Sequence, residues 1–359
     1  MAKIRIETIT PVHIGSGETL KRNNDYVVFD GGNSLGVIDE RKVLSLVGEE
    51  HIDEWVSYIE RGDSVATLVN KYAGNAKITD WIKRTIDNYA SGSQSLKECL
   101  HDGMGRPYIP GSSIKGAIRT AVLDYLVRDD SNLDRFIEGR ISSKEVEKHY
   151  IGRDANDDFF RFIQVGDAYF GRNVEVALDM ASLNITEKDD LLDRSKSQPI
   201  EAINWENETT FELRFNRRQY DLAKGKVKEV PLQIQSIEGL FQLINNHTKS
   251  LLEQDKLFWS NIDIAGAESY LDQIDDILAE IAKCDNKSCI LRIGHGSGWT
   301  FMTGGWAQRL RNFETKVVPK SRRNNDIYER KGYPFPKTRR IVDDEDSTGL
   351  LGFVKLTQI

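Results

Sequence analysis

Two places along this chain gather residues able to hold an anion. The first is the stretch Tyr108-Ile109-Pro110-Gly111-Ser112-Ser113-Ile114-Lys115-Gly116-Ala117-Ile118-Arg119. From Ile114 onward apolar residues recur at Ala117, Ile118, Ala121, Val122, Tyr125 and Leu126, the spacing of a helix with one buried face. Pro110 and Gly111 stop whatever precedes it, and Ser112 or Ser113 is placed to cap the first turn through its hydroxyl. A helix N-terminus carries roughly half a positive charge and ordinarily attracts Asp or Glu. Residues 111–119 contain no acid, only Lys115 and Arg119, a turn apart. Small side chains leave the first N–H groups open. Gly116, which costs about 1 kcal/mol against Ala inside a helix, permits another chain to come close. The combination suits a phosphate. The plainer alternative is that both cations sit in water or pair with acids elsewhere.

The second place is late. Between residues 292 and 340 there are 12 Lys and Arg against 3 acids, in a protein whose formal net charge is −7. Arg292, Arg322, Arg323, Lys337, Arg339 and Arg340 belong to this run, and Trp299, Trp306, Phe313, Tyr333 and Phe335 are interleaved with it. Cations for phosphates and flat rings for bases are what a single-strand groove needs. The alternative is a solvated basic loop with core aromatics. Gly294-His295-Gly296-Ser297-Gly298-Trp299 offers minimal side chains where a backbone could pass. It lacks the order of a dinucleotide loop, and residues 111–116 lack that of a phosphate loop of the Walker type.

Catalytic candidates are few. His13 and His295 both flank glycine loops and could act as acid or base on a ribose 2′-OH. Neither has a visible partner, so a loop histidine donating to backbone or phosphate is the simpler assignment. Asp154–Asp158 begins like a calcium loop but has Phe159 where glycine is required and Val165 at the final glutamate. Cys99, Cys284 and Cys289 are odd in number, lack metal-site spacing and fit reduced cytosolic thiols. No cofactor and no metal are expected.

The elements that must position these groups follow from pattern. Residues 3–9 alternate as a strand and run into His13-Ile14-Gly15-Ser16-Gly17. Residues 25–29 and 35–38 read as a hairpin. Residues 40–90 read as a helical insertion, with Ile78, Trp81, Ile82, Ile86 and Tyr89 on one face. Strands are expected at 161–165, 174–178, 199–205, 209–215, 288–293 and 349–356, with two long helices around Ile237–Leu251 and Leu271–Ile281. At 359 residues with 39% hydrophobic and 29% charged residues, two domains, 1–190 and 191–359, are expected. No apolar run is long enough to span a membrane, and a cytoplasmic location is expected.

Pro-Gly-Ser-Ser-Ile-Lys-Gly-Ala-Ile-Arg at 110–119 closely resembles the helix signature of the RAMP superfamily, the RNA-binding subunits of CRISPR effector complexes. Thr10–Gly17, the strand ending in Asp167-Ala168 and the Gly294–Gly298 loop add to the likeness. The resemblance implies an α+β fold of two ferredoxin-like (RRM-like, βαββαβ) domains. Within the superfamily the chain looks like the subunit that caps the type III-A (Csm) backbone filament at the crRNA 3′ end. That would be a non-catalytic, structural role supporting crRNA maturation and antiviral defence. The implied partners are crRNA, the Csm backbone RAMP subunit, the Csm small subunit and, indirectly, target RNA. The RNA-binding residues so expected are His13, Gly15, Ser16, Gly17, Ser112, Ser113, Lys115, Arg119, Arg292, His295, Gly296, Ser297, Gly298, Trp299, Arg322, Arg323, Lys337, Arg339 and Arg340. Three rivals stand beside this reading: an endoribonuclease trimming crRNA, a neighbouring backbone subunit and, last, a nucleotide-binding enzyme using the Lys115 loop.

Overall fold

A computed structural model describes residues 2–92, 94–137, 143–185, 190–263, 265–302, 305–313, 315, 318, 335–344 and 347–359. Its organising layer is a five-stranded antiparallel sheet in the order 288–292, 353–358, 2–8, 208–215, 163–165. The strand Ala2–Thr8 buries Ile4, Ile6 and Thr8 completely and turns Lys3, Arg5 and Glu7 the other way, as period-2 alternation requires. Ile4 lies opposite Phe211 on one side and Gln358 on the other.

The central helix, Gly111–Val127, and the long helix Ile237–Ser260 pack on this sheet and on each other. Strands 353–358, 2–8, 208–215 and 163–165 with these helices make a ferredoxin-like unit within an α+β fold. A further helix, Glu268–Lys283, turns the chain back, so Ser288–Arg292 runs along the outside of the last strand. One core fills the space between sheet and helices, from Ile4 and Ile6 through Ile114 and Ile118 to Val354 and Leu356.

A nine-stranded sheet carries the rest, in the order 15–21, 95–99, 192–203, 175–184, 82–88, 34–38, 26–29. Thr338–Asp344 lies along Glu175–Asn184 and pairs in turn with Ser347–Gly349. Strands from both sides of residue 190 share each sheet. Three helices of the insertion, Glu40–Val47, Ile52–Arg61 and Val65–Tyr72, enclose a small core of Val43, Trp55, Leu68 and Trp81.

Three local expectations fail. Residues 82–88 form a strand and not the end of a helix face. Ile82 and Ile86 are buried, and between them on that face lies Arg84, buried by ion pairs to Glu201 and Glu98. That arginine hides the period of two. The segment around Lys337–Arg340 enters a strand, 338–344, in place of a basic tail. Neither Ser112 nor Ser113 caps the central helix; Pro110 stands at the N-cap without a side-chain bond.

Candidate nucleic-acid interface

The two glycine loops, some 280 residues apart in the chain, meet. The His295 N–H donates to the His13 carbonyl at 2.9 Å, and Ile293 and Gly352 exchange with the same corner through Ile293 N–H to Gly352 O (2.7 Å) and Gly352 N–H to Pro11 O (2.9 Å). Gly294 has φ +82°, and a Cβ there would stand 2.7 Å from the His13 carbonyl oxygen, so only glycine allows the junction. The imidazoles of His13 and His295 meet edge to face with centroids 5.7 Å apart.

His13 is buried, and its Nδ1 lies 2.5 Å from the Glu201 carbonyl oxygen. A carbonyl only accepts, so Nδ1 carries the proton. Burial lowers its pKa to about 4, the carbonyl partly opposing this and the His295 and Lys97 charges adding to it. His295 is exposed at the junction. Partial burial, then the Lys97 and Arg340 charges, lower its pKa too. Lys97, on the strand Ser95–Cys99, and Arg340 pair with no carboxylate among the described residues; Arg340 donates to Ser182 Oγ at 3.0 Å and packs against Gly296. Gly15 and Gly17 are exposed beside them, and Ser16 Oγ donates to Glu98 at 3.0 Å. The result is a cationic shelf, poor in side chains, between the two sheets. Lys97 escaped the sequence reading because a single strand lysine is ordinarily solvated; its value comes from a register that no local pattern displays.

The central helix is less open than its sequence suggests. Asp167, at the end of the neighbouring strand, accepts the Gly111 N–H at 2.7 Å and supplies the anion missing from the first turn. A Cβ at Gly111 would come within 2.3 Å of the Val165 carbonyl oxygen. Arg119 is spent within the chain: Nε donates to Glu147 at 2.7 Å, Nη1 to Asp158 at 2.8 Å, and the guanidinium lies over Phe160. Lys115 is half-buried without a direct partner among the described residues; burial lowers its pKa, and Asp158 opposes that. Ser112 and Gly116 are exposed, with open space around Gly116.

The late basic run divides. Arg292 is buried, donating to Leu351 O at 3.0 Å and Gly296 O at 3.4 Å, between the rings of Phe301 and Phe353. Arg339 is buried against Asp255, its Nε 2.8 Å from Oδ1. Ser297 is buried and closes its own loop through Gly294 O at 2.7 Å. Trp299 packs against Phe313 and Phe335. Arg292 and Ser297 brace the loop from within, and Arg339 and Trp299 are engaged by side chains of this chain. Lys337 reaches the Ile185 carbonyl at 2.8 Å. Gly298, at φ +79°, has open space around it. Arg322 and Arg323 lie outside the described residues.

A ferredoxin-like α+β protein with a cationic junction of glycine loops is the class that fold and site define. The family model described as the RAMP superfamily matches residues 5–301, and the chain belongs to that superfamily. It is 24% identical over 343 residues to the CRISPR system Cms protein Csm5 of Methanocaldococcus jannaschii, covering 83% of this chain and 71% of that protein. It is 21% identical over 359 residues to the Csm5 of Enterococcus italicus, covering 91% and 83%. Among solved structures it is similar to a chain of a Csm–crRNA–target RNA ternary complex of a type III-A CRISPR-Cas system, with TM-score 0.75, 19% identity and 99% and 100% coverage. It is likewise similar to the crystal structure of T. onnurineus Csm5, with TM-score 0.70, 19% identity and 98% and 99% coverage.

Proposed function

We propose that this chain is a crRNA-binding structural subunit of a type III-A (Csm) effector complex, capping the backbone filament at the crRNA 3′ end. Superfamily membership and similarity to Csm5 proteins along most of the chain support the assignment. The observation that carries the RNA role is the shelf where the His13 and His295 loops join beside Lys97 and Arg340. Glycine at Gly15, Gly17, Gly296 and Gly298 lets a ribose–phosphate strand lie against backbone, and the two cations neutralise phosphates. Ser16 lies at this shelf, and Ser112, Ser113 and Lys115, at the start of the central helix, are the remaining expected contacts. Partners of this reading are crRNA, the backbone RAMP subunit and the small subunit, with target RNA reached through the guide.

The same geometry argues against catalysis. Cleavage through a 2′-OH needs one group to take a proton and another to give one. Both imidazoles have lowered pKa values and are neutral at pH 7. His13 has also committed its only proton to the Glu201 carbonyl. The test is reconstitution of the complex, read by native mass spectrometry. This chain should join in a crRNA-dependent way, and Lys97→Ala with Arg340→Ala should weaken that dependence. A purified chain that cuts crRNA without partners, and stops doing so as His295→Ala, would overturn the structural reading in favour of a nuclease.

A further inference from the structure

Directly behind His13 lies a buried polar knot that RNA binding does not use. Glu201 is fully buried and Glu175 nearly so; His101 and Arg84 are about nine-tenths buried, and Glu98 is more open. The backbone of Cys99 orients two of them: its N–H donates to Glu201 Oε2 at 2.8 Å, and its carbonyl lies 2.8 Å from His101 Nδ1. Since a carbonyl only accepts, Nδ1 carries a proton, and Nε2 is the nitrogen turned toward the carboxylates. Nε2 lies 2.8 Å from Glu175 Oε1 and 3.9 Å from Glu201 Oε1. Three possible ligand atoms, two from strands and one from just beyond the strand Ser95–Cys99, thus lie within 4.8 Å of one another.

Acceptors do not converge in an interior unless something positive sits among them. Glu201 takes a bond from Arg84 on each oxygen and one from Cys99 on Oε2, while Glu175 takes the Val174 N–H on Oε2 and turns Oε1 to the imidazole. Counting Glu98, Glu175 and Glu201 against Arg84 leaves two negative charges before the imidazole is considered. A second proton on His101 removes one of them; a divalent cation removes both. An imidazole whose other nitrogen donates to a backbone carbonyl is also how metal-bound histidines are held.

We propose that His101, Glu175 and Glu201 form a structural divalent-metal site that ties the strands 95–99, 175–184 and 192–203 together beneath His13. One imidazole with two carboxylates suits zinc better than magnesium, which prefers oxygen alone and retains its water. The site needs nothing from RNA. Because the Glu201 carbonyl holds the His13 ring, it would set the floor of the shelf.

The probe is zinc itself. The full chain is stripped with a chelator, given Zn2+, desalted and assayed for metal by mass spectrometry, with thermal unfolding alongside. The expected result is one retained zinc per chain, a Tm raised by on the order of 5 °C at a hundredfold excess over Kd, and loss of both in Glu175→Gln and His101→Ala. Should His101→Ala fail to fold, X-ray absorption of the zinc-loaded wild type decides, since imidazole scattering must be present beside oxygen. Stripped wild type that retains no zinc overturns the proposal and leaves a protonated His101 as the cation. Equal uptake by Glu175→Gln, or a zinc shell without imidazole, overturns it as well, by placing the metal elsewhere.

Discussion

Replacing Lys97 and Arg340 together by Ala removes two cations that pair with no carboxylate among the described residues. If each holds one phosphate of a single strand, the slope of log affinity against log salt becomes shallower by about 0.7 per contact, so about 1.4 in all. Between 50 and 200 mM salt, a fourfold change, the affinity gap between wild type and variant should therefore shrink by about sevenfold. Fluorescence anisotropy of a short labelled single-stranded RNA, titrated at four salt concentrations, measures this directly. Arg119→Ala is the control. Its guanidinium already faces Glu147 and Asp158 at 2.7 and 2.8 Å, so it has no charge to spare for a phosphate and its slope should match wild type. Unchanged slope in the Lys97/Arg340 variant, or an equal loss in Arg119→Ala, would refute the placement of the RNA on the shelf and return it to the central helix.

Gly116→Ala should raise stability in urea by about 1 kcal/mol, since a Cβ there meets open space and the helix propensity improves. Gly111→Ala should instead destabilise severely, because its Cβ would collide with the Val165 and Gly166 carbonyls. Arg339→Ala strands Asp255 in the interior and should cost about 3–5 kcal/mol by urea denaturation. Acidification should strengthen RNA binding as His295 gains its proton: burial and the neighbouring cations lower its pKa, so the gain appears below pH 6.5 and should vanish in His295→Ala.

The sequence announced the parts of this fold whose periodicity is uninterrupted. The central helix, the hairpin at 26–29 and 34–38, the strand 208–215 and the two long helices all stand where alternation or a helical face placed them. What escaped was hidden by charge in unexpected places. Arg84 sits inward on a strand because Glu201 lies 117 residues further on, and Arg339 does the same because of Asp255, 84 residues back. A basic residue in a sequence looks like a ligand for something outside until the acid that claims it is known. Arg119 taught the same lesson in the motif that first drew attention. The convergence of His13 with His295 was half legible: each loop could be found, but only tertiary structure makes them neighbours.

The strand Ala2–Thr8 has both its neighbours far downstream, Glu208–Phe215 and Phe353–Gln358. A ribosome adding about 5–20 residues per second takes some 20–70 s to travel from Ile6 to Leu356, which end up paired. For all that time the middle strand of the principal sheet, apolar on one face, awaits its second edge. The nascent chain should accordingly lean on chaperones that shelter exposed strands, and any release before the final segment emerges should leave an unzipped and sticky product.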